Sequence, residues 1–266
     1  MPCYQSYKAL QIDVAGPILT VTLNRPPHNP IDDDLDAELS EIFVDINRDP
    51  SIKVVVLAAV GRSFSAGGDL DWILQTGRDK DFSGWVRSMR RGRRILMSML
   101  DLDAPIIAKV QGAAVGLGAT LALFSDIVVA TETATFADPH VKIGLTAGDG
   151  GSIIWPHLIG YARAKRHILT GKPIRADQAE AWGLISETAP ADALDRVVAE
   201  LAAEIAGLPF AAVASSKRAL NIPLLREVIA SMDAHLGLET WSRLSEDHLE
   251  AVAAAKDRRP PVFKGR

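Results

Sequence analysis

KVVVLAAVGRSFSAGGDL, residues 53–70, opens on a β-branched apolar run and closes on a glycine-containing loop. A run of that length and composition fits a buried strand, and the loop supplies a tight exit from it. The unit recurs downstream. Residues 106–110 form a second strand-like run leading into Gly112 and Gly116, and residues 127–130 form a third before the loop 136–144. Strands that alternate with glycine loops and helical patterns predict an α/β core.

Working outward, residues 9–14 and 18–24 read as two short strands flanking Gly16-Pro17, and Asp32, Asp33 and Asp34 precede Leu35, Leu39, Ile42, Phe43 and Ile46 at helical spacing. A long helix is expected over residues 82–100, ending before Pro105. Gly148 to Gly151 precede another apolar helical run, residues 152–158. Beyond about residue 190 the chain turns alanine-rich, with helical runs over 191–206, 211–220 and 224–255 and an extended tail at Pro260-Pro261. This divides the chain into a core, 1–190, that carries the site and a helical region, 191–266. The last helices have small faces suited to covering another subunit.

The bulk numbers narrow the chemistry. With 266 residues, 48% hydrophobic and 23% charged, the chain is large enough for a substantial core. A net charge of -4 gives no basic footprint for a nucleic-acid partner. The arginines Arg87, Arg90, Arg91, Arg93 and Arg94 are read either as a solvated helix face or as contacts to an anionic ligand. Cys3 is the single cysteine, which fits a reducing compartment. The chain has no run of about 18 apolar residues, so no membrane partner and a cytoplasmic location are expected.

Ala66-Gly67-Gly68 and Gly116-Leu117-Gly118 each stand between a strand and a helix, where small residues let backbone amides approach a ligand. Two such loops can converge on one oxygen, and paired donors stabilise charge developing on a carbonyl by roughly 3 to 4 kcal/mol each. Taken alone, each loop reads first as plain turn chemistry. Gly116 to Leu121 also imitates a dinucleotide fingerprint, without its third glycine.

FSAGGDL at residues 64–70, VQGAAVGLGATLAL at 110–123 and the stretch 136–151 occur in the order and spacing of one family. The match runs from Leu23-Asn24-Arg25-Pro26 to the closing segment 259–265. On these residues the chain resembles the crotonase (enoyl-CoA hydratase/isomerase) superfamily. The resemblance implies a crotonase-like ββα spiral core with a C-terminal helical region, and an acyl-CoA thioester as partner. It implies an oxyanion hole formed by the amides of Ala66 and Leu117, with CoA lying near Arg25, Ala66, Asp69 and Leu70. It implies no separate cofactor, CoA being part of the substrate, and assembly as a homotrimer or hexamer.

The resemblance breaks where the family's hydratases carry two glutamates: here those positions hold Thr120 and His140. A threonine hydroxyl is a poor acid or base, whereas a histidine exchanges protons near neutrality. His140 is therefore the acid/base candidate, beside the plainer reading of a histidine that only bonds its own loop. Asp149 in Gly148-Asp149-Gly150-Gly151 either complements a helix N-terminus or orients His140, and Asp138 is a weaker candidate. A histidine followed nine residues later by the aspartate of a GDG sequence also resembles the superfamily's C–C bond hydrolases, which cleave β-diketones. Glu239 matches a further acidic residue of those enzymes, and it also fits an exposed helix position. His140, Asp138 and Asp149 lack the spacing of a metal site, so no metal is expected. Hydration or isomerisation of an acyl-CoA leads, with C–C cleavage of retro-Claisen type and a non-catalytic acyl-CoA-binding homologue as alternatives.

Overall fold

The computed structural model describes residues 4–266. Cys3, and with it the reading of the redox compartment, lies outside the described residues. The chain begins with the expected hairpin, β1 (Leu10–Ala15) and β2 (Ile18–Leu23), followed by β3 (Pro30–Ile31), α1 (Asp33–Asn47), β4 (Val54–Ala59) and β5 (Gly67–Gly68). Next come α2 (Leu70–Arg78), α3 (Phe82–Asp101), β6 (Ile106–Val110), β7 (Ala113–Val115), α4 (Leu117–Leu123), β8 (Ile127–Thr131) and β9 (Thr135–Ala137). The chain closes with α5 (Gly151–Ile168), β10 (Ile174–Arg175), α6 (Ala176–Trp182), β11 (Glu187–Ala189), α7 (Leu194–Ala206), α8 (Phe210–Arg243) and α9 (Glu246–Asp257).

The main sheet has six strands in the order β1-β2-β4-β6-β8-β11, parallel except for the β1–β2 hairpin. The strand β4 explains why residues 53–60 show no polar alternation. Val55 and Leu57 face the main core, while Val54, Val56 and Ala58 pack on the other side against Leu194, Val198 and Ala202 of α7. Both faces are covered, so both must be apolar. A smaller sheet, β10-β9-β7, and the short pair β3-β5 stand beside it.

Residues 191–266 pack onto the core in three places: α7 under the sheet, α8 on α3 and α5, and α9 on α2. The helix α8 differs from the two separate runs expected around residue 222. It continues through Pro223 and breaks instead after Arg243, where Ser245 caps α9. Proline removes only one amide donor, whereas Val228, Met232 and Leu236 beyond it are core residues, and their burial carries the helix on. Lys217 fastens α8 with its ammonium 2.8 Å from Asp126 and 3.0 Å from the Ala104 carbonyl. The helix expected after the Ala66-Gly67-Gly68 loop is α2, and the first turns of α2 and α3 are capped by the carboxylates of Asp69 and Asp81.

One buried side chain holds the loop after β4. Asn29, fully buried with φ +48°, donates its amide group to the carbonyls of Val60 (2.7 Å), Ser63 (2.9 Å) and Phe64 (3.1 Å). Its oxygen accepts the Arg25 amide at 2.8 Å. Asn29→Asp places a carboxylate against those carbonyls, and the expected loss is about 3 kcal/mol of stability, read as a lowered thermal midpoint. An unchanged midpoint would show that Asn29 does not tie the loop.

Candidate active site

The loops after β4 and β6 meet backbone to backbone. The Ser65 amide donates to the Ala113 carbonyl at 3.1 Å, and the Val115 amide donates to the Ser65 carbonyl at 3.0 Å. No side chain fits between them. A Cβ on Gly67, which has φ +80°, would stand 2.7 Å from the Val115 carbonyl oxygen, and one on Gly118 would stand 2.5 Å from the Ser65 Cβ. The two loops thereby open onto one cavity of about 330 Å³, whose lining includes Ala66, Leu117, His140, Asp149 and Glu239.

Leu117 is the first residue of α4, where an amide has no acceptor within its own helix. It finds none elsewhere among the described residues. Ala66 differs from the expectation of a matched pair of donors. Its amide is donated to the His28 carbonyl at 2.7 Å, because the segment around it pairs with the residues leading into β3. Ala66 and Leu117 thus share the cavity, with the Leu117 amide open and the Ala66 amide engaged.

Opposite these amides His140 lies between two carboxylates. Its Nδ1 is 2.6 Å from Asp138 Oδ1 and its Nε2 is 3.4 Å from Asp149 Oδ2. The pair to Asp149 is what the GDG sequence builds. Gly148 lets α8 close in, since a Cβ there would meet the His235 carbonyl at 2.5 Å and Glu239 at 2.8 Å. Asp149 also accepts a backbone bond from Gly151 at the start of α5, and its Oδ2 faces His140. Glu239 is buried rather than an exposed helix position. One turn beyond it Arg243 stacks 4.1 Å over Trp85 and donates to Thr76 at 2.7 Å. Among the described residues Asp138 Oδ2, Asp149 Oδ1, Glu239 Oε2 and the Thr120 hydroxyl have no hydrogen-bond partner.

These groups set each other's protonation. Burial pulls His140 toward the neutral form, but Asp149, Asp138 and Glu239 outweigh it and hold the imidazole well above its usual value. Burial raises Asp149, opposed by the charge on His140. Glu239, desolvated and facing Asp149, is pushed up from 4.5 to about 8 and is protonated at neutral pH. The site therefore presents an imidazolium clamped by carboxylates beside a neutral carboxylic acid. Donor atoms of Asp138, His140 and Asp149 lie within 4.8 Å of one another, close enough for a cation, although an ion there would have to displace both contacts to the imidazole.

Of the residues expected along CoA, Ala66 and Leu70 line the cavity and Arg25 and Asp69 do not. Arg25 faces Asp32 at 3.3 Å, and the Asp69 carboxylate caps α2. The arginine cluster on α3 is largely spent on internal pairs: Arg91 with Asp33, Arg93 with Asp233 and Arg94 with Glu41. The sequence reading missed Asp36, Ser88 and Gly92, which also line the cavity. A signal existed, since Asp36 falls in register with Leu39 and Phe43 on the buried stripe of α1.

Residues 13–266 match the family model of enoyl-CoA hydratase/isomerase. A 1,2-epoxyphenylacetyl-CoA isomerase of Escherichia coli (strain K12) is 32% identical over 94% of this chain and 95% of its own length. A carnitinyl-CoA dehydratase of Citrobacter koseri is 34% identical over 94% and 96%. Among solved structures, an enoyl-CoA hydratase/isomerase from Mycobacterium paratuberculosis is 39% identical with a TM-score of 0.88, covering 92% of this chain and 97% of that one. A β-diketone hydrolase from Anabaena sp. PCC 7120, bound to (S)-3-oxocyclohexyl acetic acid, is 27% identical with a TM-score of 0.82, covering 91% and 96%. With its fold, its paired glycine loops and a match over nearly its whole length, the chain belongs to the enoyl-CoA hydratase/isomerase family, the crotonase superfamily.

Proposed function

We propose that the protein acts on an acyl-CoA thioester through an enolate, isomerising or hydrating a double bond, with the His140–Asp149 pair and Glu239 moving the protons. One observation carries this reading: a clamped imidazole, a carboxylate and a protonated acid share a cavity with an open helix-N-terminal amide. The Leu117 amide meets the thioester oxygen as charge builds on it, and Ala66 adds a second donor by sharing its bond with His28. The Asp149 carboxylate, held beside the His140 imidazolium, takes a proton from carbon or from water, and Glu239 returns one to the enolate. Thr120 contributes no acid or base. CoA enters as part of the substrate, with no separate cofactor. The proposal includes assembly as a homotrimer or hexamer and a cytoplasmic location; exposed apolar residues on the C-terminal helices, Leu220 and Trp241 among them, support a subunit interface there.

A second reading, hydrolysis of a C–C bond in a β-diketone, is favoured by the burial of Glu239 beside His140 and Asp149 and by the similarity to the Anabaena β-diketone hydrolase. In it the pair activates water against one carbonyl, the C–C bond breaks, and Glu239 protonates the enolate that leaves. That chemistry needs no CoA, in keeping with the absence of Arg25 and Asp69 from the cavity lining.

Mass spectrometry of 2-enoyl-CoA, 3-oxoacyl-CoA and free cyclic β-diketones incubated with the enzyme separates these readings. A shifted double bond or a product heavier by one water is expected, with the rate falling at least about 100-fold in His140→Ala and Asp149→Asn. Cleavage of a β-diketone to a keto acid favours the second reading, and CoA binding without any turnover overturns both.

The protonation of Glu239 gives a separate test. The rate should decline as pH rises past about 8, because the acid then loses its proton. The folded state holds that proton more tightly than the unfolded chain, so stability should also drop between about pH 4.5 and 8. Glu239→Gln should remove that drop, so that its thermal midpoint gains on the wild type as pH rises from 5 to 9 while activity is lost. Parallel midpoint curves would refute a buried, protonated Glu239.

A further inference from the structure

The cavity holds a second polar group that the proposed chemistry does not use. Asp36 lies on the buried face of α1, 4% exposed, among Leu35, Leu39 and Phe43. Its charged neighbours are Arg91 and Asp33, not the His140 group. Arg91 serves it poorly, standing 3.5 Å from Asp36 but 2.7 Å from Asp33. Ser88 of α3 lines the same cavity, and its hydroxyl acts on the Asp36 carboxyl to favour the charged form.

One turn along α3 from Ser88 is Gly92, buried in mid-helix with no positive φ to require glycine. Glycine there is less favourable to the helix than alanine. A Cβ at Gly92 would meet nothing within 4 Å, so no packing contact demands its absence. Gly92, Ser88 and Asp36 all line the cavity, together with Ile31, Trp85 and Met89. These residues, contributed by β3, α1 and α3, form one side of the lining, a lobe that is apolar except for the Asp36 carboxyl, the Ser88 hydroxyl and the Trp85 indole N–H, which donates to Thr240.

We infer that this lobe selects substrates whose acyl portion carries a hydroxyl group away from the reacting carbons, bonded by Asp36 and Ser88 in the space that Gly92 leaves open. Burial, against the opposing effects of Arg91 and Ser88, raises Asp36 to about 7, so near neutrality it is not committed to one charge state. A partly neutral carboxyl beside a hydroxyl both donates and accepts, as a substrate hydroxyl requires. A plain alkyl end would bury both groups against apolar atoms with only each other and the distant Arg91 to bond, and that loss of hydration is the source of the selection.

The inference rests on reading this cavity as the acyl pocket, and two readouts keep the questions apart. Turnover of a saturated-tail medium-chain 2-enoyl-CoA tests the acyl-CoA reading. The ratio of kcat/KM for the ω-hydroxylated ester over that ester, with Kd values from calorimetry, tests the lobe. The wild type should favour the hydroxylated ester by about tenfold or more. Asp36→Leu should abolish or invert that ratio. Because Asp36→Leu alters a buried pair, Gly92→Ala provides a second variant with room for its methyl group. It should raise the thermal midpoint and still reduce the preference several-fold. Equal kcat/KM and Kd for the two esters in the wild type, or an unchanged ratio in both variants, overturns the inference. Failure of the protein to bind or convert either ester overturns it together with the acyl-CoA reading.

Discussion

The closeness of two backbone loops governs everything around the site. Three glycines stand where any side chain would collide with backbone or with Ser65: Gly67 against Val115, Gly118 against Ser65, and Gly112, whose Cβ would come within 2.1 Å of the Arg62 carbonyl oxygen. Close-packed interiors do not absorb intrusions of that size without moving their neighbours. The loops can therefore be this close only as glycine loops. Asn29 holds the first from below while the β7–β9 pairing holds the second. The open amide of Leu117 follows from that clamp, since α4 starts where the second loop ends.

Opposite the amides, a second constraint concerns charge. Two aspartates and a glutamate are buried near one imidazole, and isolated ionised carboxylates are too costly to leave uncompensated in such a place. The structure resolves this with one imidazolium placed between the aspartates and a proton kept on Glu239. In the proposed mechanism compensation and catalytic poise are the same arrangement, because groups driven to opposite protonation states by their surroundings can act as acid and base near neutrality.

The parts of this design legible in the sequence are those with a period or a spacing. The strands β4, β6 and β8 were readable as apolar runs, α1 and α3 as helical stripes, and the loops as glycines at strand ends. His140 and Asp149 were found because they occupy informative positions in a recognisable pattern, and the structure brings them together. Two- and three-residue strands such as β3 and β5 have no periodicity to read, and the pairing next to them engages the Ala66 amide. Glu239 looked like any helix glutamate. Only the approach of Gly148 to α8, a contact between residues far apart in the chain, buries it. Asp36 carried a visible sign, a charge within an apolar stripe, but a stripe does not tell whether its neighbour is a cavity or more core.

Placing the acid on α8 rather than on α4 has a structural consequence. At the α4 position Thr120 is fully buried, so the site draws its third ionisable group from a helix that begins near residue 210. That helix must then be held as firmly as the core strands. Lys217 anchors its first half through Asp126 and Ala104, and Thr240 accepts from the Trp85 indole at 2.9 Å on the turn that carries Glu239. Arg243 packs its guanidinium on the other side of that contact, over the Trp85 ring. Trp85 itself lines the cavity, so the α3 residue that helps shape that space also fixes the helix that carries Glu239. Changes in the α3–α8 contact therefore reach the chemistry through the position of one carboxyl group, even when they touch none of the groups that exchange protons.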